Sequence, residues 1–176
     1  DLAGQVVTAI DALGNATTFA YNGAGGQIRL TDPLGHSSET VYFNNSNRVQ
    51  AQIDPLGRRT SFVYNDAGEQ RSRIDARGNR ITFHYDAAGR QTAIVNQLLF
   101  RTTYGYDAAG QRIFIQDPLD RFTSTVYDAV GQPTAHVLPS GSRWTTVFDA
   151  VGRAEASIDP LGNRSTAVYD AVGRVK

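Results

Sequence analysis

An aromatic residue returns every 21 positions along this chain, at Tyr21, Tyr42, Tyr64, Tyr85, Tyr106, Tyr127, Phe148 and Tyr169, with a single interval of 22. A fixed period of this length marks a tandem array, in which each unit buries its apolar residues against neighbouring copies. Four residues after most of these aromatics comes Gly (Gly25, Gly68, Gly89, Gly110, Gly131, Gly152, Gly173), and eleven after comes Asp (Asp32, Asp75, Asp117, Asp159). The unit reads Y-D-A-x-G-R/Q-x5-D-P-L-G-x6. The long interval follows Tyr42, where Phe43-Asn44-Asn45-Ser46-Asn47 holds one extra residue and Asn47 stands in the glycine slot. Asn is the other residue that tolerates positive φ, so a bulged turn is expected there.

Each unit carries two turn signals of the same chemistry. Asp32-Pro33-Leu34-Gly35, Asp54-Pro55-Leu56-Gly57 and Asp159-Pro160-Leu161-Gly162 place Asp first, Pro second and Gly fourth, the type I preference closed by a left-handed Gly. Asp86-Ala87-Ala88-Gly89 and its relatives at 107–110, 128–131 and 149–152 repeat that layout without Pro. About six residues rich in Thr, Val, Ile, Phe and Tyr lie between successive turns, so one repeat predicts one β-hairpin. About eight hairpins give an all-β chain of about 16 strands in one antiparallel ribbon that must curl. The whole of 1–176 reads as a single array. Both ends fall inside a unit and the chain has no Met, which leads us to expect an excerpt of a longer polypeptide.

Period-two alternation puts Phe62 and Tyr64, Ile81, Phe83 and Tyr85, Tyr104 and Tyr106, and Trp144 and Phe148 on one face. The first strand of each unit adds Ile10, Ile53, Ile74, Val95, Val137 and Ile158 in one column, two residues after the small Ala51, Ala93, Ala135 and Ala156. Val41, Val63, Val126, Val147 and Val168 make the opposite positions apolar too, which predicts partial burial on both faces.

Composition removes several chemistries. Seventeen basic residues balance 17 acidic ones, leaving no positive excess to hold a phosphate backbone, so nucleic acid is not expected as a partner. With no Cys, thiolate metal sites and thiol nucleophiles are excluded. The only Lys is Lys176, which leaves no lysine for a phosphate loop or Schiff base inside the chain. No stretch approaches the roughly 20 apolar residues of a membrane-spanning helix.

The segments Tyr85-Asp86-Ala87-Ala88-Gly89-Arg90, Tyr127-Asp128-Ala129-Val130-Gly131 and Tyr169-Asp170-Ala171-Val172-Gly173-Arg174 resemble the YD-repeat family. That family includes bacterial Rhs proteins, the C component of Tc insecticidal toxins and the animal teneurins. The resemblance covers essentially the whole chain. It implies hairpins joined into one sheet that spirals into a hollow shell, with a C-terminal toxic domain enclosed in bacterial members. It also implies a secreted or cell-surface location, flanking repeats in the same polypeptide, and no catalysis or cofactor. Bacterial members often cut themselves at an Asp-Pro-x-Gly-Leu segment. Gly35, Gly57 and Gly162 are followed here by His36, Arg58 and Asn163, so self-cleavage is not expected from this stretch.

The recurrent Asp residues tempt an enzymatic reading, but they sit where Asp caps its own turn. Turns along one edge are about 9.6 Å apart, whereas a calcium ion needs oxygens at roughly 2.3–2.6 Å. His36, His84 and His136 fall in different columns, which argues against a metal site. Gly23-Ala24-Gly25-Gly26 lacks the Gly-Lys-Ser/Thr ending of a phosphate loop. Three roles remain: a shell segment shielding a cargo, an extracellular fibre pairing through exposed strand edges, and glycan binding by the Tyr column. The solitary Trp144 speaks for packing over glycan binding, since aromatic wall-binding modules carry several Trp per unit.

Overall fold

A computed structural model describes residues 1–44 and 46–176. The described residues form sixteen strands and no helix, and strand order in the sheet follows chain order without a crossover. The chain divides into two compact units, Asp1–Phe83 and His84–Lys176. Unit 1 holds β1 (Thr8–Ile10), β2 (Ala16–Tyr21), β3 (Gln27–Thr31), β4 (Ser37–Tyr42), β5 (Val49–Ile53), β6 (Arg59–Tyr64) and β7 (Gln70–Ile74), and ends within β8 (Arg80–Tyr85). Unit 2 holds β9 (Gln91–Val95), β10 (Arg101–Tyr106), β11 (Arg112–Gln116), β12 (Phe122–Tyr127), β13 (Pro133–Val137), β14 (Arg143–Phe148), β15 (Ala154–Ile158) and β16 (Arg164–Thr166). Inside each unit every strand pairs antiparallel with the next, so one 21-residue repeat is one hairpin plus the turn to its neighbour.

The two kinds of turn leave different marks on the ladder. Across the D-P-L-G turns the register is regular, as in Thr31 opposite Ser37. Across the Y-D turns it slips by one: Ala20 faces Arg29 while Tyr21 faces Gln27, and Gly105 faces Phe114 while Tyr106 faces Arg112. The returning strand therefore carries one extra residue in each repeat, a bulge that bends the strand and increases its local twist. The same slip recurs where β2 meets β3, β4 meets β5, β6 meets β7, β10 meets β11, β12 meets β13 and β14 meets β15.

Register separates two columns that the alternation pattern grouped together. Ser61 faces Ile74 while Phe62 faces Arg73, so the Ile column lies on the face of Val63 and Ser72, opposite the Phe62 and Tyr64 column. Side chains on both faces are mostly half-buried. Full burial is confined to small residues in one column: Ala51 and Ala93 at 0%, Ser72 at 1%, Ala135 and Ala156 at 4% exposed. The partner across from this column is Val at Val41, Val63, Val126 and Val147. One hairpin inverts the pair, with Phe114 in the small column and Gly105 in the Val slot. With no second layer, stability comes from the backbone ladder and from contacts between adjacent hairpins.

The turn after Tyr42 differs from the sequence expectation. Phe43 O accepts from Ser46 N at 2.7 Å and Phe43 N donates to Arg48 O at 3.0 Å, so Ser46 takes the glycine position of the hydrogen-bond pattern. Positive φ falls on Asn44, at 31°, and not on Asn47. Asn45, named in that expectation, lies outside the described residues.

Candidate functional site

The groups that recur with chemistry are the turn carboxylates and the aromatic column, and both are committed to the fold's own backbone. In the turn at 86–90, Gly89 N donates to Asp86 O at 3.1 Å and Asp86 N to Arg90 O at 3.0 Å. Asp86 Oδ1 accepts from Ala88 N at 2.9 Å and Arg90 N at 3.0 Å, and Arg90 Nε donates to Asp86 Oδ2 at 2.7 Å. The D-P-L-G turns repeat this: Asp32 Oδ1 accepts from Leu34 N and His36 N, Asp54 Oδ1 from Leu56 N and Arg58 N, and Asp159 Oδ1 from Leu161 N and Asn163 N. Pro33, Pro55 and Pro160 fill the second turn position, which has no inward N–H to lose. The closing residues Gly25, Gly35, Gly57, Gly68, Gly89, Gly110, Gly131, Gly152, Gly162 and Gly173 all have φ between 76° and 90°. That region strains any residue with a Cβ. Two turns that the sequence reading did not single out put other residues there, Leu99 at 65° and Asp120 at 60°.

These bonds hold the carboxyls below the ordinary Asp value. Backbone N–H donation from Arg90 lowers Asp86, followed by the Arg90 side chain, and Asp149 and Asp170 behave alike with Arg153 and Arg174. At Asp32, Asp117 and Asp159 the side chains of His36, Arg121 and Asn163 are the largest influence. At Asp54 partial desolvation pushes upward, and the hydrogen bonds from Arg58 outweigh it. All are depressed, the reverse of what a general acid needs.

Tyr21, Tyr42, Tyr64, Tyr85, Tyr106, Tyr127 and Phe148 each end a strand, and Tyr169 makes an isolated bridge with Val175. Five of the hydroxyls reach back 15 residues to a backbone carbonyl of the preceding repeat: Tyr21 to Val6 at 2.8 Å, Tyr42 to Gln27 at 3.0 Å, Tyr106 to Gln91 at 2.9 Å, Tyr127 to Arg112 at 3.3 Å and Tyr169 to Ala154 at 2.8 Å. Gln27, Arg112 and Ala154 each face the preceding aromatic at the bulge, where the ladder leaves a carbonyl short of its regular partner. A cation from the preceding repeat covers the ring 16 residues on: Arg48 over Tyr64 at 5.4 Å, Arg90 over Tyr106 at 4.9 Å and Arg153 over Tyr169 at 4.5 Å. Gln5 and Gln111 Nε2 donate forward to Gly25 O and Gly131 O, both at 3.1 Å. Within each unit these bonds staple hairpins to their neighbours along the Y-D edge. The offset of 15 is present in the sequence, but its meaning needs the bulge, which brings ring and carbonyl together.

The described residues hold no group of three or more His, Cys, Asp or Glu able to take a metal ion. His36 Nδ1 lies 2.8 Å from its own turn's Asp32, and His136 faces Trp144 across β13 and β14. A groove of about 560 Å³ in unit 1 is lined by Glu39, Asp54, Arg58, Asp75 and Arg77, and its Asp54 and Arg58 are already paired at 2.6 Å.

An array of near-identical hairpins, turns capped by their own Asp and repeats stapled through Tyr and Arg define a class, the tandem β-hairpin repeat proteins. The family model described as RHS Repeat matches residues 1–37, 64–96 and 127–164, more than half of the chain, and the chain belongs to that family. Among solved structures it is similar to TcdB2-TccC3 (15% identity, TM-score 0.56), covering 99% of this chain and 13% of that one. It is also similar to TcdB2-TccC3-Cdc42 (14%, TM-score 0.54) and to a Photorhabdus luminescens Tc holotoxin pore (14%, TM-score 0.53), each covering 99% of this chain and 12% of the other. The chain thus spans about an eighth of the length of those structures, and the likeness is one of fold. No curated protein matches the sequence.

Proposed function

We propose that the chain is a stretch of containment wall: hairpins of a hollow β-sheet shell that encloses and shields a toxin or other cargo domain of an exported polypeptide. Further repeats of the same polypeptide extend the ladder at its open edges. The carrying observation is the lateral tie along the Y-D edge, where Tyr hydroxyls bond a carbonyl 15 residues back and Arg48, Arg90 and Arg153 cover the ring 16 residues on. The fold likeness to the TcdB2-TccC3 structures supports the same reading. A wall works sterically. Its resistance to local opening comes from a ladder whose turns are fixed by Asp, Pro and Gly and whose neighbours are tied laterally. The Tyr rings covered by Arg48, Arg90 and Arg153 are not free platforms for sugar stacking, which weighs against glycan binding.

Electron microscopy of the intact native polypeptide tests this. A closed shell holding density that the repeats do not account for is the expected result. An open coil running from subunit to subunit would refute containment and make the array a fibre that self-associates through its strand edges.

A further inference from the structure

On the face of unit 2 that carries Ala135 and Ala156, the first slot of β10, β14 and β16 holds Arg101, Arg143 and Arg164, set opposite Val95, Val137 and Ile158. All three are exposed. Among the described residues, none of the three pairs with a carboxylate, whereas Arg90, Arg121, Arg153 and Arg174 in the turns each grip an Asp. The next column on the same face is hydroxylic: Thr103, Ser124, Thr145 and Thr166. Glu155 is the one acidic strand residue of unit 2, and it sits at the bulge beside the opposite turn edge. Asp117 and Asp120 line a groove with Arg101, and both are bonded within the turn, Asp117 to Arg121 and Asp120 to Gln116.

The fold does not require arginine in this slot. Ala16, Ser37 and Phe122 occupy it in other hairpins with the same ladder. The corresponding face of unit 1 repeats the motif with Arg59 and Arg80, but Glu39, bound to Arg29 at 2.6 Å, adds a carboxylate there. The strands of unit 2 therefore present guanidinium forks and hydroxyls on this face, and the acidic groups that border it, Asp117 and Asp120 in the groove at Arg101, belong to the turn.

We infer that this face of unit 2 docks an extended, carboxylate-rich stretch of polypeptide laid across the strands. Its acidic side chains bind Arg101, Arg143 and Arg164, with the hydroxyl column beside them as further donors. Planar guanidinium forks match carboxylates with two parallel bonds. Adjacent hairpins repeat at about 9.6 Å, and a chain in the polyproline II conformation advances about 3.1 Å per residue with three residues per turn, so every third side chain returns to the same face about one hairpin further on. Charge complementarity alone carries this proposal, which stands whether or not the array forms a closed shell.

The test is a fluorescence-anisotropy titration of the intact protein with a labelled peptide of Glu-Ser-Ser triplets, at low and high salt. Salt-weakened binding is expected, falling about tenfold when Arg101, Arg143 and Arg164 are all changed to Gln, which keeps the stem and removes the charge. Arg59→Gln with Arg80→Gln should leave it nearly unchanged. Phe122→Arg fills the gap in the column and should tighten binding, a gain that misfolding does not produce. The proposal is overturned if the parent does not bind the peptide, if the triple variant binds like the parent, or if Phe122→Arg gains nothing. Tighter binding of an oligothymidylate or of phosphatidylserine vesicles than of the peptide also overturns it.

Discussion

The inverted pair at Gly105 and Phe114 makes the sharpest quantitative demand on the fold. A Cβ built on Gly105 would lie 1.9 Å from one Phe114 ring carbon and 2.4 Å from two others, far inside the 3.4–4 Å of ordinary contact. Gly105→Val therefore forces the ring out of place and away from Phe122, whose ring centroid is 5.4 Å away edge to face. Overpacking of this kind costs about 1–3 kcal/mol. Phe114→Ala alone removes a half-buried ring and leaves an empty slot over Gly105, a loss of about 2–4 kcal/mol. The double variant recreates the Val and Ala pairing of Val126 with Ala135 and Val147 with Ala156, and it replaces a strand glycine. Its stability should return to within about 1 kcal/mol of the parent, a coupling of about 2–3 kcal/mol between the sites. Urea unfolding followed by the fluorescence of Trp144, which lies in the same unit, reads this directly. Additive effects of the two single changes, or a Gly105→Val protein as stable as the parent, would refute the close approach and the pairing argument with it.

Phe148 is the one aromatic of the column without a hydroxyl, and the 15-residue offset seen at Tyr21, Tyr42, Tyr106, Tyr127 and Tyr169 points it at Pro133 O. Phe148→Tyr should add about 0.5–1 kcal/mol in thermal unfolding, and no gain would show that the offset does not generalise. Leu99→Gly releases a non-glycine residue held at φ 65°, so a rise of about 1 kcal/mol is expected, with destabilisation as the contrary result. Asp11, Asp75, Asp86 and Asp149 are held below the ordinary 3.8 by their turn hydrogen bonds, so their stabilisation is present above that value and is lost as the pH falls through the folded values. Melting temperature should be level down to about pH 5 and decline below about pH 4. Asp86→Asn keeps the Oδ1 acceptor, as Asn22 does toward Ala24 N and Gly26 N, and should make that decline shallower. An unchanged acid profile would contradict it.

The hairpin period, the two turn edges and partial burial of both faces are legible in the sequence because they follow from local chemistry: Gly and Pro at fixed offsets, and alternation between them. The division of the aromatic and Ile columns between faces is not, because counting by two along the chain does not say which residues meet across a turn. That depends on register, and a one-residue bulge changes it. The Tyr hydroxyl bonds were hidden for the same reason. Leu99 and Asp120 show the limit of reading glycine as the mark of a left-handed turn, since hydrogen bonds from Leu99 N to Asn96 O and from Asp120 N to Asp117 O, both at 3.0 Å, hold the same geometry without it. One signal was available and unused: superimposing the repeats puts Gly105 in a Val column and Phe114 in an Ala column, two departures that explain each other only when they touch.

The lateral staples have a consequence for how such a protein changes over time. The described Tyr hydroxyl bonds span 15 residues, and Arg48, Arg90 and Arg153 each cover the ring 16 residues on, so these links refer to the next copy and to nothing farther away. Duplicating or deleting one whole hairpin leaves all remaining links satisfied, whereas gaining half a hairpin would turn tyrosines toward the wrong edge. The extra residue at 43–48 is tolerated because a turn absorbs it before the next strand begins. Length in this architecture is therefore counted in integers, and unequal recombination between repeats can resize the array in whole hairpins.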